Sequence, residues 1–424
     1  MKQQLLSIAG VRDAVLQLPD DALTPMREAA LAHLDEHGLP TVRNEDWKYT
    51  DLGPAIDISN RWLAAGARLD VGGDMDAAIA AITATIDANW LVIANGVIDD
   101  SRTTSINGLE FSRFSERPTP FDMNRPLANL NAALLRDGLR IQLSAATEKP
   151  LGLLIIDSAD EEDGVSQASI EIDVAPGCDA DIIEYQASVG DGNHYANSIV
   201  TLHIGRSAST NYVRIQKRAR SHVQTGRISA TLDADSKLRM ASYDMGGGLI
   251  RNDVDIDMSE PGAEVIFSGL YIAGDGQHID NHTKVDHRVG PTTSSQEYRG
   301  ILNGNCRCVW NGKAIVHKGA NGTDASQANH NLLLSDKAEI DTKPELEIYA
   351  DDVKCSHGTT VGQLDAAALF YLRTRGLDKR RATEILTHAF AVDIVDRAPV
   401  AAARDAIATM VESRLADLVQ DVAL

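Results

Sequence analysis

The fold is decided by short segments such as Ser198-Ile-Val-Thr-Leu-His-Ile204 and Thr210-Asn-Tyr-Val-Arg-Ile-Gln216. Short runs rich in Ile, Val and Leu alternate with Gly, Asp and Asn, and amphipathic helical periodicity is hard to find from about residue 150 to 350. Many short strands at close spacing predict an all-β body over 151–350. Further runs of this kind are Leu151–Ile156, Ser169–Val174, Asp181–Tyr185, Arg227–Leu232, Gly262–Tyr271, Lys284–Val289 and Leu346–Tyr349.

Three architectures compete for this body: a sandwich, a barrel and a parallel β-helix. A sandwich usually closes within roughly 100 residues, so one of twice that length would be large. A solenoid grows by adding coils and accommodates the length, although no strict sequence period is visible to mark it. The pattern alone favours the β-helix only slightly over the sandwich.

The first 150 residues predict a mixed α/β region. Thr24 is expected to cap a helix that has Pro25 at its first position and stops at Gly38 and Pro40. Asn95-Gly96 between two apolar runs predicts a β-hairpin.

Residues 351–424 predict a C-terminal helical region. Its last helix carries Ile407, Val411, Leu415 and Leu418, an apolar stripe at helical spacing. Such a stripe fits a surface for a partner protein, and it fits packing on the chain's own β-body equally well.

Charge and composition argue against nucleic-acid binding. The chain has 424 residues, 43% of them hydrophobic, and a formal net charge of −21. A surface this negative repels phosphate backbones, so nucleic-acid binding is disfavoured. The densest basic group is interpreted as a solvated strand face, and it consists of Arg214, Lys217, Arg218 and Arg220.

The termini and the cysteines indicate a cytoplasmic protein. The N-terminus lacks the long apolar region of a secretory signal, and no stretch approaches the ~20 apolar residues that span a bilayer. Four scattered cysteines are too few for a disulfide framework, so a reducing compartment is expected.

Motifs for nucleotide chemistry are missing. No G-x-x-x-x-G-K-[ST] loop is present, and Gly246-Gly-Gly248 is followed by Leu and Ile rather than by a phosphate-binding Lys. No Gly-x-Ser-x-Gly elbow of a serine hydrolase is present either. We expect neither an ATPase nor a bound nucleotide.

Two clusters of metal-binding residue types have ordinary structural interpretations. On a strand, His278 and His282 would share one face while His287 points to the other, which favours a hydrogen-bonded polar ladder over a metal site. Cys306 and Cys308 would face the same way, but they have no second cysteine pair, so core-facing thiols are favoured.

The segment Cys355-Ser-His357 carries the strongest chemical signal. An extended backbone presents the thiol and the imidazole on one side, and Lys354 is expected to lower the pKa of the thiol. Both ligand types suit iron and iron–sulfur clusters. Two ligands are half of a coordination shell, so a functional pair would need a partner. A buried Cys beside a capping His is the alternative.

At these residues the chain resembles the SufB/SufD family of iron–sulfur cluster assembly proteins, on its SufD side. The resemblance runs from near the start of the chain to the C-terminal helices. It is carried by Arg43–Thr50, Gln277–Thr283, Val309-Trp-Asn-Gly-Lys313, Gly322–Ala338, Thr342–Ile348, Cys355-Ser-His-Gly-Thr-Thr-Val-Gly362 and Leu369-Phe-Tyr-Leu-Arg373.

The resemblance implies a mainly β protein: a right-handed parallel β-helix between an N-terminal α/β region and a C-terminal helical region. It implies a non-catalytic scaffold that joins a SufB-like scaffold protein and a SufC-like ATPase, with the helices from Asp365 onward as the docking surface for the ATPase. It places a transient iron or cluster ligand at His357, with Cys355 beside it, opposite a Cys of the SufB-like partner. SufB-like proteins carry a Cys where this chain has Asn329, which favours the SufD side of the family. Cys306 and Cys308 match no family pattern, and a homodimer remains open for the chain alone.

Two other classes of protein compete with this interpretation. A β-helix enzyme acting on polysaccharide would normally use aromatic platforms and an export signal, whereas aromatic residues are only 4% of this chain. A free-standing metalloprotein would draw on His278, His282 and the cysteines.

Overall fold

A computed structural model describes residues 5–68, 75–102, 108–117, 121–160 and 162–420. Within these ranges the strands form two sheets, called sheet A and sheet B below. Sheet A contains β1 (Asn89–Ala94), β2 (Val97–Ile98), β5 (Leu151–Ser158), β7 (Asp179–Val189), β9 (Ser209–Lys217), β11 (Lys237–Asp244), β13 (Glu264–Ala273), β15 (Thr293–Leu302), β17 (Asp324–Leu333) and β19 (Lys354–Gly362). Sheet B contains β3 (Leu109–Arg113), β4 (Leu139–Leu143), β6 (Gly164–Val174), β8 (His194–Ile204), β10 (His222–Leu232), β12 (Leu249–Met258), β14 (His278–His287), β16 (Arg307–Val316) and β18 (Glu339–Ile348).

The helices lie at the two ends of the sequence. Those of the N-terminal region are α1 (Ile8–Val15), α2 (Thr24–His37), α3 (Gly53–Ala64), α4 (Met75–Thr85) and α5 (Pro126–Leu134). Those of the C-terminal region are α6 (Ala366–Thr374), α7 (Lys379–Asp396) and α8 (Arg404–Gln420). The helix predicted near Thr24 and the hairpin predicted at Asn95-Gly96 are both confirmed. The predicted cap is wrong, because Thr24 is the first helical residue and Leu23 takes the cap position.

From β4 onward, successive strands alternate between the sheets, and each pairs in parallel with the strand two positions later. The result is a parallel β-solenoid of about seven turns, which confirms the β-helix and excludes the sandwich. The step between coils is not constant: Val223 faces Leu249, 26 residues on, whereas Arg307 faces Glu339, 32 residues on. This variation hides the repeat in the sequence.

Apolar layers cover both sides of sheet A. Alternate residues point into the solenoid, where Ile182 and Leu238 belong to the central core, while Ile183 points outward to the helices. The outer layer includes α8, whose stripe Ile407, Val411, Leu415 and Leu418 is buried against it. Of the two interpretations of this stripe, the one in which α8 packs on the chain's own β-body is therefore confirmed. Helices α1, α2, α3 and α5 cover the outer face of sheet B in the same way.

The basic group predicted to be solvated is partly inside the solenoid, so that prediction is wrong for two of its residues. Arg214 lies on the inward face of sheet A and is 1% exposed. Arg218 lies in the turn after β9 and is 3% exposed. Arg214 pairs with Asp244 at 3.3 Å, and Arg218 pairs with Asp157. A buried guanidinium needs such a carboxylate, because an isolated charge in a dry interior is strongly disfavoured.

Two histidines line the interior next to the Arg218–Asp157 pair. The rings of His194 and His222 stack with centroids 5.3 Å apart. Burial lowers the pKa of His194 to about 4 and that of His222 to about 3, so both are neutral at physiological pH. Burial alone would raise the pKa of Asp157, but the charge of Arg218, and at low pH that of His194, outweighs it and lowers the pKa to about 2. The interior thus contains a polar region as well as an apolar core.

Candidate half-site at the open end of the solenoid

The last coil of the solenoid holds the Cys355-Ser-His357 segment on β19, the final strand of sheet A. Cys355 lies opposite Ala325 and His357 opposite Gln327 of β17. Ala325 and Gln327 are buried inward-facing residues, so Cys355 and His357 continue the interior wall. The structure therefore brings the thiol and the imidazole to one side, as predicted.

No further coil of the described chain covers this end. Every residue of β19 is exposed or half-buried, and the same is true of β18, the last strand of sheet B. His357 is exposed and Cys355 is half-buried. Both strands end their sheets, so each has one edge of backbone N–H and C=O groups with no strand of the described residues beside it.

The predicted effect of Lys354 on Cys355 is wrong. Burial is the largest influence on Cys355 and raises the pKa of its thiol, and the carboxylate of Asp324 raises it further. Alternation along the strand directs Lys354 to the outer face while Cys355 points inward, which separates the cation from the thiol. Cys355 is thus a protonated thiol in the free chain, and another charge must approach before it ionises.

Sequence reasoning missed the polar floor beneath the site. Gln327 is buried, and neither its side-chain oxygen nor its side-chain nitrogen has a hydrogen-bond partner in the described structure. Next to it, Asn329 donates to the Tyr271 hydroxyl at 3.1 Å and to the Tyr298 carbonyl at 3.2 Å. Alternation through Ser326-Gln-Ala-Asn-His-Asn331 is the signal that places Gln327 and Asn329 on one face.

The site offers two strong metal donors. Among the residues that the structure describes, no group of three or more His, Cys, Asp or Glu side chains is placed to hold a metal ion. The Cys355 thiol and the His357 imidazole suit iron and its sulfide clusters, which need more ligands than two. The donors of this segment therefore fit half of a coordination shell.

The other histidines and cysteines do not join this site. His278 bonds to Thr50 at 2.8 Å and His282 to Asp280 at 3.1 Å, so both belong to a polar ladder. Cys306 and Cys308 are buried core residues, as predicted. Alternation places these cysteines inside the solenoid and His278 and His282 on its outer face, so they cannot share one metal.

The motif Arg43–Thr50 crosses the outer face of sheet B. Thr50 donates to Asp280, and the Arg251 guanidinium lies 4.5 Å from the Trp47 ring centroid. Lys343 of β18 reaches Glu45 at 3.2 Å. This segment ties the N-terminal region to several coils, including the last one.

The first C-terminal helix differs from the other two. In α6 no residue is buried, and Phe370 and Tyr371 are 69% and 56% exposed. Asp365 caps the helix, since its side chain accepts a hydrogen bond from Ala367 N at 2.8 Å. The aromatic side chains of α6 are therefore not covered by the described part of this chain. None of the described helices is long and apolar enough to cross a membrane.

Comparison with known proteins identifies the family of this chain. The family model described as "SUF system FeS cluster assembly, SufBD core domain" matches residues 155–390. The chain is 30% identical to the iron–sulfur cluster assembly protein SufD of Escherichia coli K12, over 88% of each protein. It is 29% identical to a SufBD family protein of Synechocystis, over 98% of this chain and 94% of that protein. SufD of Bacillus subtilis is 27% identical over about half of each chain. The chain is a member of the SufBD family of iron–sulfur cluster assembly proteins.

Proposed function

We propose that this chain is the SufD-type scaffold subunit of a cytoplasmic complex that assembles iron–sulfur clusters. It contributes a half-site, His357 with Cys355, to an interface with a SufB-like scaffold protein, and it docks a SufC-like ATPase. It is not itself a catalyst and binds no nucleotide, nucleic acid or membrane.

The open end of the solenoid is the observation that carries this proposal. Unpaired edge strands are templates for another chain, and natural proteins usually cover, shorten or charge them. Here β18 and β19 end side by side, with Ile348, Tyr349 and Val361 exposed between 43% and 62%. A second solenoid that presents its own last coil would pair with these edges and cover the apolar residues. In the absence of a SufB-like partner, a second copy of this chain is the natural substitute.

The same contact completes the coordination shell. His357 is fixed on a strand, and the Cys355 thiol beside it is protonated in the free chain. A thiolate and a nascent cluster from the partner side would bring iron to both donors, and the metal would then ionise the Cys355 thiol. The cluster is cargo here, so a site of few ligands also favours its release.

The test of this half-site is His357→Ala in a complex co-expressed with its partners. We expect the complex to form with unchanged composition while its iron and acid-labile sulfide fall several-fold, because one protein ligand is lost. His330→Ala is the matched control, since His330 lies on the outer face of β17, where it bonds to Thr360 at 2.9 Å. Cluster content that is unchanged by His357→Ala would remove His357 from the site.

The docking of the ATPase is tested by the double variant Phe370→Ser, Tyr371→Ser. Buried aromatic anchors at interfaces typically contribute ~2 kcal/mol or more each, so we expect binding of the SufC-like subunit to be lost at micromolar concentration. Both residues are exposed in the free chain, so its melting temperature should not change.

The matched control for docking is Leu16→Ser. Leu16 is 79% exposed and lies at the end of α1, in the N-terminal region. Full association of the Phe370, Tyr371 double variant with the ATPase in a pull-down experiment would exclude α6 as the docking surface.

A further inference from the structure

Cys306 and Cys308 form a pair that the proposed function does not use. They lie where the chain turns from β15 into β16, two residues apart on the interior wall of sheet B. Cys308 is fully buried and Cys306 is 3% exposed. The other two cysteines are apart from this pair, with Cys178 just before β7 and Cys355 on β19.

The two thiols lie on one face of the chain. The backbone on both sides of Cys306 continues the parallel ladder, since Arg307 N donates to Gln277 O at 3.0 Å and Glu339 N donates to Cys306 O at 2.9 Å. Side chains two residues apart on an extended strand share one face. Both side chains belong to the interior core, and the Cys306 thiol donates to Ala273 O at 3.7 Å.

Extended geometry disfavours a disulfide between them. Two residues of strand separate the Cα atoms by ~6.6 Å, and the parallel Cβ vectors keep the Cβ atoms at a similar distance. A disulfide needs Cβ atoms ~3.8 Å apart. An ion bonded to both sulfurs holds them apart by about twice a metal–thiolate bond of ~2.3 Å. Two Cys side chains that lean toward each other reach this sulfur–sulfur separation without a movement of the backbone.

The donor set selects the kind of ion. Zinc and iron need about four ligands, and within the described residues no third His, Cys, Asp or Glu is placed to join the two thiols. Two thiolates alone suit a soft, thiophilic, two-coordinate ion. The resulting dithiolate of a monovalent ion carries one negative charge. Arg220 donates to Asp275 O and Arg414 to Ile272 O at 3.4 Å, while the Asp275 carboxylate accepts from Asn305 N at 2.7 Å. The adjacent turn therefore carries two cations and one anion.

We propose that Cys306 and Cys308 form a two-coordinate dithiolate site for Cu(I), entered through the turn at Asn303–Asn305. Binding breaks two S–H bonds, releases two protons and forms two S–Cu bonds, with no change in oxidation state. The site depends on this chain alone, so it stands or falls independently of the cluster half-site.

The experiment is an anaerobic titration of the full chain with Cu(I) against the chromophoric chelator bathocuproine disulfonate. We expect one tightly held Cu(I) per chain, and copper X-ray absorption that shows two sulfur ligands in a linear arrangement. Cys306→Ala and Cys308→Ala should each weaken binding by more than the roughly 10–100-fold cost of losing an outer-shell partner. Cys178→Ala is the matched control, since Cys178 is buried too and lies outside the pair.

Three results would overturn the proposal. They are wild-type protein that holds no Cu(I) against the chelator, copper that shows nitrogen or three-coordinate ligation, and binding that survives in the Cys306→Ala, Cys308→Ala double variant. Loss of copper with Cys355→Ala but not with Cys306→Ala would assign the ion to the half-site instead. If a variant fails to fold, the copper X-ray absorption spectrum of the wild-type protein still tests the proposal, because it reports the number and the type of the copper ligands.

Discussion

Replacing Val361 by proline is expected to abolish association with a SufB-like partner while leaving the isolated chain folded. Lys354 N donates to Thr323 O at 2.9 Å, across to β17. Successive N–H groups along a strand point to opposite edges, and the pairing of β19 with β17 runs without a bulge. The N–H of Val361 therefore faces the open edge, where proline removes a donor and places its ring in the path of an added strand.

The neighbouring residue provides the matched control. By the same alternation the N–H of Thr360 points to β17, so Thr360→Pro removes a bond of the chain's own ladder. We expect Thr360→Pro to lower the melting temperature of the isolated chain, and Val361→Pro to leave it within a few degrees of the wild type. Association would be measured by co-purification and by light scattering. Undiminished complex formation by Val361→Pro would show that β19 is not the pairing edge.

The second large effect is expected in stability, from Arg218→Met. Arg218 is the cation that keeps the fully buried Asp157 ionised, and it also donates to Gln224 Oε1 at 2.5 Å and to Ala187 O at 3.2 Å. Removing one partner of a buried ion pair costs about 3–5 kcal/mol because the other charge is left unpaired in a dry interior. Denaturant unfolding of the isolated chain would measure it.

Arg12→Met is the control for this loss. Arg12 pairs with Asp35 at 3.2 Å, but both side chains are more than half exposed, so the change should cost no more than ~1 kcal/mol. Adding Asp157→Asn to Arg218→Met should recover part of the loss, because the unpaired carboxylate is gone. If Arg218→Met destabilises the chain no more than Arg12→Met does, the interior ion pair contributes nothing to stability.

The runs named from the sequence cover every strand from β5 to β10 but omit β15 and β17, for a physical reason. Strands such as Leu151–Ser158 are apolar on both faces, because helices cover the outside of sheet A there. By contrast, β15 and β17 point Ser294, Gln296, Gln327 and Asn329 into the interior. Polar residues facing inward remove the alternation that marks a strand, so these two strands were not predicted.

The placement of Cys355 and His357 on one side of a strand was predicted, but their surroundings were not. The spacing of Cys355 and His357 is enough to place both on one side of a strand. The raised pKa of the Cys355 thiol depends on burial and on Asp324, which is 31 residues away in sequence and becomes a neighbour only through the coil. The stripe on α8 showed an apolar face, yet sequence alone gave no means to decide whether that face meets the chain's own β-body or a partner.

The central claim is that this chain holds only half of a cluster site, and iron and sulfide analysis after anaerobic reconstitution tests it most directly. The chain purified alone and the chain purified with its SufB-like and SufC-like partners would be compared side by side. We predict a stable cluster in the complex and none retained by the chain alone after desalting. A complete cluster held by the solitary chain on its own side chains would contradict the account.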